Sequence, residues 1–486
     1  MPSFFSRPAS GVALALALLA APVRAQRPIT LQQAIQMALE QGRAAKAAEA
    51  TRDAARYRDR AFFSRLLPQL SLGGTVPSYN RSIIQVVQPD GSVLFKPQDQ
   101  TNTSLTMTMT QKLPVLGGDL FVTSGLAKLQ RSGTTDVTTW SSTPLSFGLR
   151  QDLFKPNTAG WDRREQFIRS EVSERQFLES REDISLQATN LFFDVYSARA
   201  ELANAVKNAA VNDTLYNLNK GRYEVGRIGE NDLLQNELAL LRARNRLDGA
   251  RLEYDRASAA LRLGLSLPTG VPLDLEVTDM VPRFEADTAQ AVAEALRNRA
   301  SVSDAELQDV QAKRRITEAR LANGIGATIN ASYGYNATAD TRRDVYQDLQ
   351  EARTFSMSVQ LPLWQWGARK ETVEAAKADA ERTANTTQTA LQQTAQDAHF
   401  AALQLAQARR NLELSAKADT VAGKRYDVAY NRYVIGRITI DNLYIAQNEK
   451  DAALASYVQS LRGYWQAYFR LRRMTLFDFE KGEKIR

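Results

Sequence analysis

The seven residues Arg-Tyr-Glu-Val-Gly-Arg-Ile at positions 222–228 return as Arg-Tyr-Val-Ile-Gly-Arg-Ile at 432–438. A repeated unit commits a chain to an architecture built from its copies, so it has to be settled before any local reading. The echo extends in both directions. Downstream, Leu233, Tyr254 and Leu261-Arg262 recur at Leu443, Tyr464 and Leu471-Arg472 with unchanged spacing; upstream, Gln33-Ala34-Ile35 with Ala38-Leu39 recurs as Gln290-Ala291-Val292 with Ala295-Leu296. The 486 residues divide into a first repeat over 26–266, a Pro-bearing linker over 267–286, a second repeat over 287–479 and a short basic tail over 480–486.

The amino terminus bears on the compartment. Arg7 precedes an apolar run over 11–21, and Val23-Arg24-Ala25 offers the small residues a signal peptidase reads, so a signal peptide over 1–25 is expected. No later stretch offers the roughly 18–20 uninterrupted apolar residues of a membrane helix, so a membrane-embedded form would have to be a β-barrel. There is no cysteine, which excludes disulfides, thiolate metal sites and a lipidated amino-terminal Cys. Loss of Arg7 and Arg24 with the signal lowers the formal charge from +8 to +6. The Lys and Arg residues alternate with Asp and Glu along helical stretches, the pattern of a solvated face, so nucleic-acid binding is not indicated.

Each half reads as helix, strands, helix. Thr30 followed by Gln33 forms a capping box, and Leu31, Ala34, Ile35, Ala38 and Leu39 mark the face of a helix expected to run to about Leu67, before Pro68. The period then switches to two. Leu70, Leu72 and Val76, then Leu105, Met107 and Met109, then Leu145, Phe147 and Leu149 alternate with polar residues, giving first-half strands within about 69–154. In the second half, within about 327–363, Ile329, Ala331, Tyr333 and Tyr335 precede Phe355, Met357, Val359, Leu361 and Leu363. Such alternation fits a barrel wall with one face to lipid and one to water, and Phe154, Trp364 and Trp366 suit an aromatic girdle. Residues 80–101 and 337–354 are turn-rich and read as external loops; Leu-Pro-Val-Leu-Gly-Gly-Asp-Leu at 113–120 opens an additional hairpin in the first half.

The intervals 161–222 and 368–432 are proline-free, rich in Ala, Gln, Glu, Lys and Arg, and each is followed after the repeated turn by a second helix, over 231–263 and 441–473. At 1.5 Å per residue the longer helices extend about 100 Å. Clustered alanines, among them Ala375, Ala376, Ala401 and Ala402, allow close helix approach and also favour helix outright.

Nothing points to an enzyme. His399 is the only histidine and sits in a long amphipathic helix, where packing or a structural hydrogen bond is the plainer role. No Gly-rich phosphate loop or metal-ligand spacing is present, and no cofactor is implied.

The order of these features, tandem repeats after a secretory signal, Leu-Pro-Leu-Trp-Gln-Trp-Gly-Ala-Arg at 361–369 and paired Arg-Tyr-x-x-Gly turns, resembles the TolC-type outer-membrane efflux proteins over essentially the whole mature chain. The resemblance implies a mainly α fold with transmembrane β: long helical hairpins forming an α-barrel, joined to the strands of a trimeric outer-membrane β-barrel. It implies a homotrimer in the cell outer membrane extending into the periplasm, conducting passively for a periplasmic adaptor and an inner-membrane pump in efflux or type I secretion. Val225, Gly226, Arg227, Ile228, Ile435, Gly436, Arg437 and Ile438 would dock the adaptor. Tyr223, Asp232, Tyr433, Arg437 and Asp441 would form a gate, although the second repeat has Asn442 where the first has Asp232, with its acid one residue earlier. The extra first-half hairpin departs from two strands per repeat. The rival reading is a secreted coiled-coil protein or adhesin with a small β anchor.

Overall fold

The computed structural model describes residues 28–132, 136–268, 273–276, 281–322 and 324–485; the expected signal segment lies outside them. In chain order the elements are β1 (Ile29–Thr30), α1 (Leu31–Glu40), α2 (Arg43–Ser64), β2 (Gln69–Val87), β3 (Val93–Leu113), β4 (Gly118–Ser132), β5 (Val137–Leu153), α3 (Thr158–Glu224) and α4 (Glu230–Gly264). The second half follows as β6 (Leu275–Glu276), α5 (Thr288–Asn298), α6 (Ala300–Ala322), β7 (Gly326–Ala339), β8 (Gln350–Gln360), α7 (Ala368–Val434), α8 (Ile440–Thr475), β9 (Phe477–Asp478) and β10 (Glu483–Lys484).

The Thr30/Gln33 capping box forms as expected. The single helix expected to follow it does not. It breaks at Gln41 and Gly42, where Gly42 turns extended to start α2; a Cβ there would lie 2.2 Å from the Ala38 carbonyl oxygen, so only glycine permits the break. In the second repeat Asp287 caps α5 by accepting from the backbone amides of Ala289 and Gln290.

Strands β2, β3, β4, β5, β7 and β8 form one six-stranded sheet in that order, antiparallel throughout. The first half supplies four strands and the second two, so the additional hairpin is real and lies inside the sheet. The loop expected over 80–101 is instead a continuation of β2 and β3: Asn80 pairs with Gln100 and Val87 with Val93, leaving a turn of Gln88 to Ser92. Its apolar residues Ile83, Ile84, Val86, Leu94 and Phe95 sustain β pairing where polarity had suggested coil. Likewise β7 and β8 run into the interval 337–354, leaving a connection with one 3-10 turn at Asp344–Tyr346.

Register aligns the alternation of neighbouring strands. Leu70 faces Met109 and Leu72 faces Met107; Met109 faces Val122, and Val122 faces Phe147; Phe147 faces Tyr333; Ala331 faces Phe355 and Ile329 faces Met357. One apolar face therefore crosses all six strands, while the other carries Ser71, Thr108, Thr123, Ser146, Ser332 and Ser356. Most of these apolar side chains remain exposed, Leu72 at 65% and Phe355 at 73%, while Val122, Ile329 and Ala331 are partly covered.

The helices make a row. α3 packs on α4 and α8, and α8 on α7, giving the order α4, α3, α8, α7 in the half away from the sheet. Nearer the sheet α2 and α6 lie along α3, tied by Arg56–Glu174 at 2.7 Å and by Arg314 to Asp162 and Glu165 at 2.7 and 2.9 Å. Between these halves a core gathers Ala34, Phe192, Phe193, Leu261, Ala291, Leu461 and Tyr464, with β1 and β6 pairing in parallel beside it. Among the described residues no helix is long and apolar enough to cross a membrane.

Candidate functional site

The repeated turns lie at the ends of the α3–α4 and α7–α8 hairpins, and the two are built alike. Gly226 and Gly436 take left-handed φ of 70° and 72°, a region glycine enters without a Cβ penalty. The amide of Gly226 donates to the Tyr223 carbonyl at 2.8 Å and that of Arg227 to the Arg222 carbonyl at 2.8 Å; Gly436 and Arg437 repeat the pattern on Tyr433 and Arg432 at 2.9 Å each. This is the Schellman closure of a helix carboxyl end. Val225 and Ile435 are pushed outward at 69% and 63% exposure, while Ile228 and Ile438 tuck back, half-buried. Arg227 and Arg437 stand exposed. Each tip thus presents an outward apolar residue beside an arginine, and at the second tip Val434 is exposed as well.

Among the described residues no hydrogen bond or ion pair joins the five gate candidates to one another, although Tyr433 and Asp441 both lie close to Tyr444. Tyr433 is buried, and its hydroxyl lies 2.9 Å from Asn219 Nδ2 and 3.2 Å from Asn219 Oδ1, with Arg222 over its ring. Tyr223 is exposed. Asp441 Oδ1 accepts from Gln235 Nε2 at 2.7 Å, and the Asp232 carbonyl accepts from Asn236 Nδ2 at 2.5 Å. Arg437 meets no carboxylate among the described residues. The hairpins are joined by an apolar cluster of Leu215, Tyr433, Ile440 and Leu443 and, beside it, by a polar seam: Asn219 to Tyr433, Gln235 to Asp441, Tyr444 Oη to Asn236 Oδ1 at 3.3 Å, and Asn208 Nδ2 to Asp451 Oδ2 at 2.7 Å. Burial, with the nearby Tyr433 and Asp441, pushes the Tyr444 phenol up to about 12.

Asn208, Asn219 and Asn236 were not anticipated. A signal existed in the helical spacing of Asn204, Asn208, Asn212 and Asn219 along one face of α3. His399 is exposed on α7, its ring edge against Phe400, which corrects the expected packed or hydrogen-bonded role. No cluster of three metal-ligating side chains occurs among the described residues. At the other end of the molecule Trp364 and Trp366 meet edge to face at 5.4 Å, both largely exposed where β8 passes into α7.

No protein-family model and no curated protein matches the chain. Solved structures do. The chain is similar to the Campylobacter jejuni CmeC outer membrane channel, with TM-score 0.66 and 15% identity, covering 100% of this chain and 95% of that one. It is similar to the Vibrio cholerae outer membrane protein VceC, with TM-score 0.65, 14% identity and coverage of 94% and 97%. A third likeness is to the open state of the Neisseria gonorrhoeae MtrE outer membrane channel, with TM-score 0.63, 16% identity and coverage of 94% and 90%. The resemblance read from the sequence therefore holds at the level of the fold: this chain has the architecture of the TolC-type outer-membrane channels.

Proposed function

We propose that three copies of this chain form a passive duct through the outer membrane and into the periplasm, serving an adaptor and an inner-membrane pump. The observation that carries this reading is the sheet. It is apolar across all six strands on one face, lined by Ser, Thr and Gly on the other, and open at β2 and β8. In lipid an open edge leaves backbone groups without partners, so such a sheet needs other copies to close it. Three copies supply eighteen strands, and at about 4.8 Å between strands and a tilt near 40° they enclose a barrel about 36 Å across. Two strands per repeat would give only twelve, so the extra hairpin widens the duct.

The tips fit the remaining roles. Val225 and Ile435, each beside a left-handed glycine, form knobs for adaptor hairpins, flanked by Arg227 and Arg437. Gating would act through Tyr433, Tyr223, Asp232, Arg437 and Asp441 as neighbouring hairpins meet. In this reading selection of cargo belongs largely to the pump and adaptor, so drug efflux, metal efflux and type I protein secretion can share such a duct.

The test is the mass of the detergent-extracted protein together with its conductance in planar bilayers. A trimer with small, mostly closed currents that grow in Tyr433→Phe with Asp232→Ala supports a gated duct. A water-soluble species without conductance returns the chain to the coiled-coil reading, and a conducting trimer whose currents ignore both substitutions removes the gate alone.

A further inference from the structure

Helices α3 and α8 pack antiparallel: Asn190 meets Gln466, Asp194 meets Arg462 and Asn208 meets Asp451. One turn nearer the tips than Asn208 and Asp451 stand Asn212 and Gln447, so these two face each other across the same interface. Asn212, Gln447 and Asp451 are more than nine-tenths buried: Asn212 is 5% exposed, Gln447 7% and the Asp451 side chain 7%. Yet Asn212 Oδ1, Gln447 Oε1 and Asp451 Oδ1 accept no hydrogen bond from any described residue. Buried oxygens ordinarily have donors, so three orphans within about one helical turn call for a ligand.

Two of the three are aimed by their own partners. Asn212 Nδ2 donates to the Asn208 carbonyl at 2.8 Å, which fixes the amide and turns Oδ1 the other way. Asp451 Oδ2 accepts from Asn208 Nδ2 at 2.7 Å, which leaves Oδ1 over. The nearby cationic side chains are committed elsewhere. Arg246 pairs with Glu201 at 2.7 Å and approaches Asp451 Oδ2 only to 4.0 Å, and Lys450 lies over the Tyr426 ring at 4.3 Å. Toward the tips the interface closes on Leu215, Ile440 and Leu443, and away from them on Ala205 and Val458, all buried. The polar set is enclosed between two apolar layers and carries one carboxylate.

We propose that Asn212, Gln447 and Asp451 bind a monovalent hard cation of the sodium type, which ties the first hairpin to the second behind their tips. Hard cations take oxygen ligands, carboxylate and carboxamide alike. A single carboxylate balances a single positive charge, whereas a divalent ion would keep an uncompensated charge in apolar surroundings. A water molecule has two protons to give to three oxygens; a cation draws a lone pair from each. The site lies wholly within one protomer, so it stands or falls apart from the duct. Asp451 is eleven residues along α8 from Ile440, about 16 Å behind the tip.

The test is hydrogen exchange of the detergent-extracted protein in sodium chloride and in choline chloride of equal ionic strength, choline being too large to enter. Amides of α8 around Gln447 and Asp451, and of α3 around Asn208 and Asn212, are expected to exchange about tenfold more slowly in sodium. Asp451→Asn and Asn212→Leu should each lose that difference. Gln447→Glu separates the cation from its rival, a Gln447 amide turned so that Nε2 donates to Asn212 Oδ1 and Asp451 Oδ1. With a cation bound, the added carboxylate widens the gap between the two salts. With the turned amide it sets two carboxylates together and speeds exchange equally in both salts, which overturns the site. Equal exchange of the wild type in the two salts overturns it as well, and protection by calcium chloride but not by sodium chloride overturns the assignment of a monovalent ion.

Discussion

The return helices α4 and α8 descend from one repeated sequence and end in different surroundings. α4 buries five of its residues, α8 eleven. Leu443 is fully buried where its counterpart Leu233 is half-exposed; Tyr464 is buried and donates to the Pro282 carbonyl at 2.8 Å where Tyr254 only leans on the core. The cause is position in the row: α8 packs along α3 and α7 on either side, whereas α4 packs along α3 and meets α8 only through side chains such as Gln235 with Asp441 and Asn236 with Tyr444. The two copies share an apolar pattern, and position in the row decides how much of it is used. Burial inside the protomer stabilises α8, while Leu234, Leu238, Leu241 and Leu252 stay exposed on α4.

That contrast predicts its own breakage. The largest effect belongs to the interior: Leu461→Ala on α8 removes a fully buried side chain from the central core and should cost about 2–5 kcal/mol in denaturant unfolding. Leu252→Ala on α4 should leave protomer unfolding near wild type and lower only the trimer yield. If both variants unfolded alike, α4 would not be an edge helix.

A charge version follows at similar size. Arg472, itself partly buried, lies between the buried carboxylates of Glu182, at 3.0 Å, and Asp478, with Tyr468 alongside. Arg472→Ala leaves two buried carboxylates facing each other, at a cost of about 3–5 kcal/mol. On α4 the Arg256–Glu253 pair, 3.7 Å apart and mostly in water, should contribute under about 1 kcal/mol. Circular dichroism against urea distinguishes the two, and a harmless Arg472→Ala would show that the cluster is hydrated.

Legibility from sequence follows the same division. The hairpins, the capping box and both tip glycines could be read because periodicity and a left-handed turn leave local signatures. The central break could not: Gly42 sits inside an unbroken helical pattern, and the reason for its extended backbone is contact with the preceding turn. Residues 80–101 read as a loop because their polar ends outweigh Ile83, Ile84 and Phe95, whose pairing is decided across strands. At the tips the conspicuous residues Tyr433 and Asp441 were visible, but their partners Asn219 and Gln235 lie on the other hairpin and carry no turn signature. Pairing between repeats is long-range information that spacing within one repeat does not contain.

The two tips sharpen the comparison further. Tyr433→Phe removes the partner of buried Asn219 and should destabilise the seam by about 1–3 kcal/mol, whereas Tyr223→Phe, at an exposed ring, should change little. Hydrogen exchange at the carboxyl end of α3 reads the difference. Equal protection in both variants would mean that Asn219 finds water instead.

The smallest effect is one of pH. The Tyr444 phenol, near 10 in an unfolded chain, is raised to about 12 by burial in the folded seam. The neutral ring is the form the fold prefers. Its contribution is therefore complete below about pH 10 and is lost as pH rises from there through about 12, worth about 1 kcal/mol once discounted for a half-exposed ring. Wild-type α8 should loosen near its tip over that window, and Tyr444→Phe, which cannot ionise, should hold firmer at pH 11 while forgoing the bond to Asn236 below pH 9. Tryptic cleavage at Arg437 across pH 8–11 follows the loosening in both proteins. A Tyr444→Phe profile parallel to wild type would assign the alkaline sensitivity to another group on α8, with Tyr464, raised by its own burial, the next to substitute.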